Sequence, residues 1–295
     1  MTRAMRAFQQ VDVFTAVPYR GNPVAVVLDG TGLDEAAMQA FTDWTHLSEA
    51  TFVLPPTHPE ADYRLRIFCP GRELPFAGHP TLGSCHAWLQ AGGRPKGEFI
   101  VQECGVGRVR IRRDGTRLAF AAPPRVRSGP LEEDEVRLIA RGLGVAREDI
   151  AHHAWCDNGP GWRGVMLRSH EQVLALQPQA SVLSGLFVGV AGPRGKVGVV
   201  APRNPADGPQ EPAFEVRAFF PGHGAMAEDP VTGSLNAAMA QWLIGAGLAP
   251  PRYIASQGTV LGRAGRVHVA RDAQDPATIW VGGDSVTCIT GEVAL

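Results

Sequence analysis

Continuous or alternating apolar runs mark most of this chain as strands, and a few windows of helical period interrupt them. Val11-Asp12-Val13-Phe14, the turn Gly21-Asn22-Pro23 and the run Val24 to Leu28 read as strand, turn, strand. Over 34–46 the period is helical, with Met38, Phe41 and Trp44 on one stripe, Asp34 placed as the cap, and Leu33 and Met38 forming a hydrophobic staple. Ser48 to Leu54 alternates like a strand, and Tyr63 to Phe68 follows as another. A second helix is predicted from Pro80 to Ala91, opened by the proline and stopped by Gly92-Gly93. Strands near 99–102, 106–111 and 118–121 lead to Ala122-Pro123-Pro124, which reads as a linker, and a polar-faced helix follows over 132–142.

The pattern then repeats. Arg66-Ile67-Phe68-Cys69-Pro70-Gly71 resembles Arg217-Ala218-Phe219-Phe220-Pro221-Gly222, and Pro80-Thr81-Leu82-Gly83-Ser84 resembles Pro230-Val231-Thr232-Gly233-Ser234. A looser third echo pairs Gln102 to Val109 with Gln257 to Val267. Three echoes in one order predict a duplication. We expect two related domains, 1–118 and 119–283, with the last strand, within 284–295, returning to the first. Pro80 and Pro230 should then occupy matching places, as should Gly83 and Gly233.

Composition narrows the function classes. Apolar residues are 44% and charged residues 19% of 295, enough for sizeable cores. Lys plus Arg is 28 against 29 for Asp plus Glu, a net charge of −1 that argues against a nucleic-acid partner or an acidic membrane surface. No apolar run approaches the ~18 residues of a membrane span, and the start lacks a signal-peptide pattern. The five cysteines are scattered without C-x-x-C spacing, so neither a disulfide framework nor a zinc site is indicated, and a reducing cytoplasm is the expected setting.

Candidate chemistry gathers at the paired helix starts. If Pro80 and Pro230 are first helical residues, His79 and Asp229 are the caps. Asp229 has an ordinary capping role open to it, whereas histidine is a poor cap and a site role is the better account of His79. Helix N-termini attract anions, so two facing each other would bind a carboxylate. Gly83 and Gly233, read as first-turn residues, each cost ~1 kcal/mol in a helix, for the sake of either a ligand or tight packing. Ser84 and Ser234 either donate to a ligand or cover the helix start. Glu49 lies where the first helix gives way to a strand among Leu47, Ala50 and Phe52, and carboxyl groups partly stripped of water suit acid–base work near neutrality. His152, His153 and His223 have no partner at metal-ligand spacing, Arg108, Arg110 and Arg112 alternate as a solvated face, and phosphate-loop, dinucleotide and G-x-S-x-G motifs are missing. Chemistry without metal or organic cofactor is expected.

The motifs Val11-Asp12-Val13-Phe14-Thr15, Gly21-Asn22-Pro23-Val24-Ala25-Val26, Leu47-Ser48-Glu49-Ala50-Thr51-Phe52, Glu73 to Thr81 and Glu228-Asp229-Pro230-Val231-Thr232-Gly233-Ser234 resemble the phenazine-biosynthesis (PhzF-like) isomerase family over nearly the whole chain. The resemblance implies the diaminopimelate epimerase-like α+β fold: two pseudo-symmetric domains, each a curved sheet around a central helix, with the active site between them. It implies cofactor-free isomerisation of a small carboxylate-bearing metabolite, of which trans-2,3-dihydro-3-hydroxyanthranilate is the best-understood case. Glu49 matches the acid–base residue, His79 and Asp229 its catalytic companions, and Gly78, Gly233 and Ser234 the substrate-binding positions. A homodimer is one expectation for the assembly. Epimerases of the same fold use two thiols at the helix starts, and loops 76–83 and 227–234 contain no cysteine, while Cys85 reads as core. An amino-acid epimerase and a non-catalytic binding protein are the alternatives.

Overall fold

The computed structural model describes residues 4–194, 211–222 and 226–295 and divides into two compact units, Met1–Ala121 with Gly282–Leu295, and Ala122–Val281. His223 lies outside the described residues.

In the first unit β1 (Met5–Val13) and β2 (Asn22–Val27) pair antiparallel, with Val13 opposite Asn22. Helix α1 (Glu35–Thr45) leads to β3 (Ala50–Leu54), parallel to β2. β4 (Tyr63–Cys69) runs antiparallel to β3, and the short β5 (Arg72–Leu74) folds back on it. Helix α2 (Gly78–Gln90) crosses to β6 (Ile100–Cys104), parallel to β4, and β7 (Gly107–Asp114) and β8 (Arg117–Ala121) follow antiparallel.

Local chemistry accounts for these elements. The Asp34 carboxylate accepts the Ala37 N–H at 2.8 Å and caps α1, which ends at His46 with φ 55°. Met38 and Phe41 pack on Phe52 and Phe68, with Leu33 alongside. Trp44 does not join them and is 76% exposed. At about 100° per residue it lies about 120° around the axis from Met38, so the predicted stripe runs one residue too far. Helix α2 is buried along most of its length and touches β1, β2, β3, β4 and β8, the environment of a central helix. A Cβ at Gly83 would lie 2.5 Å from Val24 Cγ1 and 3.0 Å from Val13 Cγ2, so close helix–sheet packing demands that glycine.

The second unit opens with α3 (Glu133–Leu143), whose stop is Gly144 at φ 72°. β9 (Ile150–Trp155) and β10 (Trp162–Leu167) pair antiparallel. Short helices α4 (His170–Ala175) and α5 (Ala180–Leu183) lead to β11 (Phe187–Pro193), parallel to β10. β12 (Phe214–Pro221) is antiparallel to β11, and β13 (Met226–Glu228) folds back on it. Helix α6 (Gly233–Gly245) crosses to β14 (Arg252–Gln257), parallel to β12, then β15 (Gly265–Arg271) runs antiparallel and β16 (Ile279–Gly283) follows. Apolar on every side, α6 is buried nearly throughout, and its Leu235 occupies the space that a Cβ at Gly189 would need.

The two units therefore repeat one pairing order: antiparallel, parallel through a crossover, antiparallel, hairpin, helix, parallel, antiparallel. Side chains repeat as well. Arg66 binds Glu73 through Nε (2.7 Å) and Nη2 (2.5 Å), and Arg217 binds Glu228 through Nε (2.9 Å) and Nη2 (2.7 Å). Each guanidinium also lies over a phenylalanine two residues on, Phe68 or Phe219, at 5.0 and 4.9 Å. Finally β17 (Ser285–Ala294) returns to the first unit and pairs antiparallel with β1 from Met5↔Ala294 to Val13↔Ser285. Among the described residues no helix is long and apolar enough to cross a membrane.

Candidate active site

Three segments of the first unit converge on one buried polar cluster. The Asp12 carboxylate accepts the backbone N–H groups of Arg20 (2.8 Å) and Gly21 (3.0 Å), closing the turn that delivers Asn22 to the start of β2. Any side chain at Gly21 would meet the Val13 carbonyl at 2.1 Å, so this turn requires glycine. Glu49 is the residue before β3, and its carbonyl accepts the Ala25 N–H at 3.3 Å, which fixes its backbone on β2. His79 is the second residue of α2.

The side chains meet there. His79 Nε2 lies 3.2 Å from Glu49 Oε2, in contact although not aligned as a hydrogen bond, and His79 Nδ1 lies 3.3 Å from Asn22 Nδ2. The side chains of His79 and Glu49 are 5% and 16% exposed, and Asn22 is fully buried. Burial pushes the imidazole pKa from 6.5 down to about 3, with a hydrogen bond to the Pro23 backbone pulling weakly the other way. At neutral pH His79 is therefore an uncharged imidazole against a carboxyl group. Such a pair can accept a proton at one group and present or hold one at the other.

The helix starts differ from the sequence expectation. Ala77 is the cap of α2, so His79 and Pro80 are its second and third residues, and Gly83 falls in the second turn. A proline fits there because the first four helical N–H groups have no intrahelical partner in any case. In the second unit Thr232 caps α6, and Asp229 and Pro230 precede the helix. Gly78 and Gly233, rather than the two prolines, are the first helical residues.

Asp229 is held by its own loop and by the neighbouring strands β12 and β14. Its N–H donates to the Ala218 carbonyl (3.0 Å), and its Oδ2 accepts the Thr232 hydroxyl (2.8 Å). Ser234 Oγ accepts the Trp162 indole N–H at 3.1 Å, and its carbonyl accepts from Asn158 at 2.9 Å. Ser84 is fully buried against Thr51, Oγ to Oγ1 2.8 Å, and so covers the interior of its helix. Cys85 is core, its thiol pushed up to about 12 by burial. Cys69 is also raised, chiefly by burial, against a hydrogen bond from Arg72 and with the charge of Glu49 adding to the rise. The nearby thiol is thus kept protonated. His153 Nδ1 accepts the Leu131 N–H at 3.2 Å, a structural use.

Residues 11–291 match the family model of the phenazine biosynthesis-like proteins (PhzC-PhzF). The chain belongs to that family. Among its relatives, antisense-enhancing sequence 1 of Schizosaccharomyces pombe is 36% identical, covering 97% of this chain and 98% of that one. An uncharacterized isomerase of Mesorhizobium japonicum is 33% identical over 98% of both. The trans-2,3-dihydro-3-hydroxyanthranilate isomerase of Pseudomonas fluorescens is 29% identical over 99% of this chain and 100% of the relative. In fold, the chain is similar to a PhzF-family protein of Enterococcus faecalis (TM-score 0.76, 24% identity, 99% and 100% covered). It also shares its fold with a hydroxyproline epimerase of Agrobacterium vitis (TM-score 0.60, 16% identity, 100% and 93% covered). The diaminopimelate epimerase-like α+β fold is established on these grounds, and the phenazine biosynthesis-like chain is an isomerase of its family.

Three further residues join these clusters: Asn22, Thr232 and Gln257, whose amide donates to the Thr232 hydroxyl at 2.9 Å. Asn22 lies inside the Gly21-Asn22-Pro23 motif, and its partner His79 is 57 positions away. Thr232 was hidden by the Asp-Pro pair before it. Gln257 opened the third internal echo, and that echo was the available signal.

Proposed function

We propose that this phenazine biosynthesis-like protein moves a proton between two positions of one small, cyclic, carboxylate-bearing metabolite, using its own side chains as acid and base. The observation that carries the reading is the buried Glu49–His79 contact, 3.2 Å between Oε2 and Nε2. Glu49 takes a proton from carbon, the C–H electron pair enters the conjugated system of the substrate, and the resulting carboxylic acid returns the proton to a second carbon. Substrate and product are isomers, so no oxidant, water or leaving group enters the balance. One carboxylate serves both steps because abstraction leaves it in the acid form that the return requires.

His79, neutral beside it, holds or relays a proton on a substrate heteroatom. The N–H groups of Gly78 and His79 at the start of α2 are donors for the substrate carboxylate. In the second unit Asp229 is proposed as a further proton-handling group, with Gly233 and Ser234 as binding residues. The name of the Pseudomonas fluorescens relative supports a ring of the dihydro-hydroxyanthranilate type as the substrate class.

The experiment is deuterium incorporation from D2O across cyclic and α-amino carboxylates, trans-2,3-dihydro-3-hydroxyanthranilate included. Label at a new carbon of a cyclic member, lost by ~10²–10⁴-fold in Glu49→Gln, is the expected result. Label returned to the α-carbon of an amino acid identifies an epimerase instead. A Glu49→Gln protein within about tenfold of wild type refutes the base assignment, since a positioned base is worth more than that.

A further inference from the structure

We propose that Gln257 is a positioning residue that sets the place and orientation of the Asp229 carboxylate through Thr232. The inference rests on the reading that Asp229 takes part in turnover. Gln257 ends β14, is fully buried, and uses both ends of its amide on the loop before α6. Its Nε2 donates to the Asp229 carbonyl (3.1 Å) and to Thr232 Oγ1 (2.9 Å). Its Oε1 accepts the Thr232 N–H (3.1 Å) and Asn236 Nδ2 (2.8 Å). Two donors and two acceptor sites are the whole capacity of a glutamine amide, and all four are engaged.

The direction of the chain of bonds matters. Thr232 Oγ1 accepts from Gln257, so its own hydroxyl proton is directed to Asp229 Oδ2, 2.8 Å away. One carboxylate oxygen and the carbonyl of Asp229 are thus tied to the same amide, while the Asp229 N–H is tied to Ala218 in β12. A residue that merely closed the helix start would need the bond to the Thr232 N–H alone. The bonds to the Asp229 carbonyl and the Thr232 hydroxyl do something else: they locate Asp229. Asn236 adds a second tie by donating to the Thr232 carbonyl at 2.9 Å.

The duplication supplies an independent observation. In the first unit the matching strand carries Gln102, which donates to Thr81 Oγ1 (3.0 Å) and accepts the Tyr63 hydroxyl (3.0 Å). Both units therefore brace the start of their central helix with a buried glutamine from the following strand. The brace extends to the chemistry-bearing residue where that residue lies outside the helix, as Asp229 does. His79 lies inside its helix and has its backbone fixed already.

The test compares Gln257→Leu, Thr232→Val, Thr232→Ser and Asp229→Asn by deuterium incorporation into a panel carboxylate that the wild-type protein labels, with thermal melts as the fold check. Misplacement of a catalytic group lowers kcat, so Gln257→Leu and Thr232→Val should lose about 10- to 10²-fold in kcat with KM within about threefold. Thr232→Ser keeps the hydroxyl and should recover most of that loss. Gln257→Leu combined with Asp229→Asn should be no slower than Asp229→Asn alone, because both act through one group. If Gln257→Leu fails to fold, Thr232→Val carries the same prediction.

Wild-type kcat in Gln257→Leu and Thr232→Val, with Asp229→Asn impaired, overturns the inference and leaves the functional reading standing. Wild-type turnover in Asp229→Asn overturns the reading itself. A substrate-free readout stands beside these: amide hydrogen exchange at Thr232, whose N–H binds Gln257, should quicken at least about tenfold in Gln257→Leu, and unchanged exchange overturns the brace.

Discussion

Acid should destabilise the first unit through His79, by an amount the structure sets. The imidazole titrates at about 3 in the folded protein, against 6.5 for the ordinary side chain, because it is withdrawn from water. The folded value lies below the unfolded one. The unfolded chain thus binds more protons between those values, and stability is lost as pH falls from about 6.5 towards about 3. Integrating the difference from pH 7 to pH 5 gives about 2 kcal/mol from this group alone. His79→Gln has no such group, so its loss over the same interval should be smaller by that amount. Two compact units need not unfold in one step, so the direct assay is NMR of imidazole-labelled protein. His79 should keep the chemical shifts of a neutral ring from pH 8 down to pH 5. Urea unfolding of wild type and His79→Gln at pH 7 and pH 5 supplies the energy. An imidazole that titrates near 6.5, or equal acid losses in the two proteins, refutes the reasoning and removes the neutral partner from the Glu49 site.

Two other perturbations follow from contacts in the same unit. Asn22→Leu removes the amide beside His79 Nδ1 while keeping a buried side chain, and it should lower kcat by about tenfold with KM little changed, measured by the same deuterium incorporation. Wild-type kcat in that variant would show that the ring is held without Asn22. Gly83→Ala places a Cβ 2.5 Å from Val24 Cγ1, an overpacking that should cost about 1–3 kcal/mol in urea unfolding, whereas a neutral or stabilising effect would mean that helix and sheet can separate freely.

What the sequence could disclose was whatever is written in short range. The 34–46 helix, its aspartate cap and its staple are all set within a few residues, and the structure has them where the period put them. The repeat was legible because Arg66 and Arg217 each face a hairpin glutamate, and selection of the same fork leaves the same local string twice. The helix starts were misread because proline signals only that an N–H is dispensable, and that holds for every place in the first turn. The rule therefore put both caps one residue before the prolines, whereas the chain caps α2 at Ala77 and α6 at Thr232. The site clusters depend on long-range pairs, His79 with Asn22 and Glu49, Thr232 with Gln257, and no spacing rule reaches them.

The duplication also separates scaffold from chemistry in a way that neither unit alone would. Both units keep the arginine–glutamate fork and the glutamine brace, and these hold the hairpin and the helix start. At the matching step the first unit carries His79 within the helix and the second carries Asp229 before it. A scaffold repeated in the two halves of one chain, bearing different ionisable residues at the matching step, is what duplication followed by divergence leaves behind. It predicts an order of sensitivity: changes to the fork should lower stability, changes to the brace should lower kcat, and changes to Glu49 should abolish exchange while the fold survives.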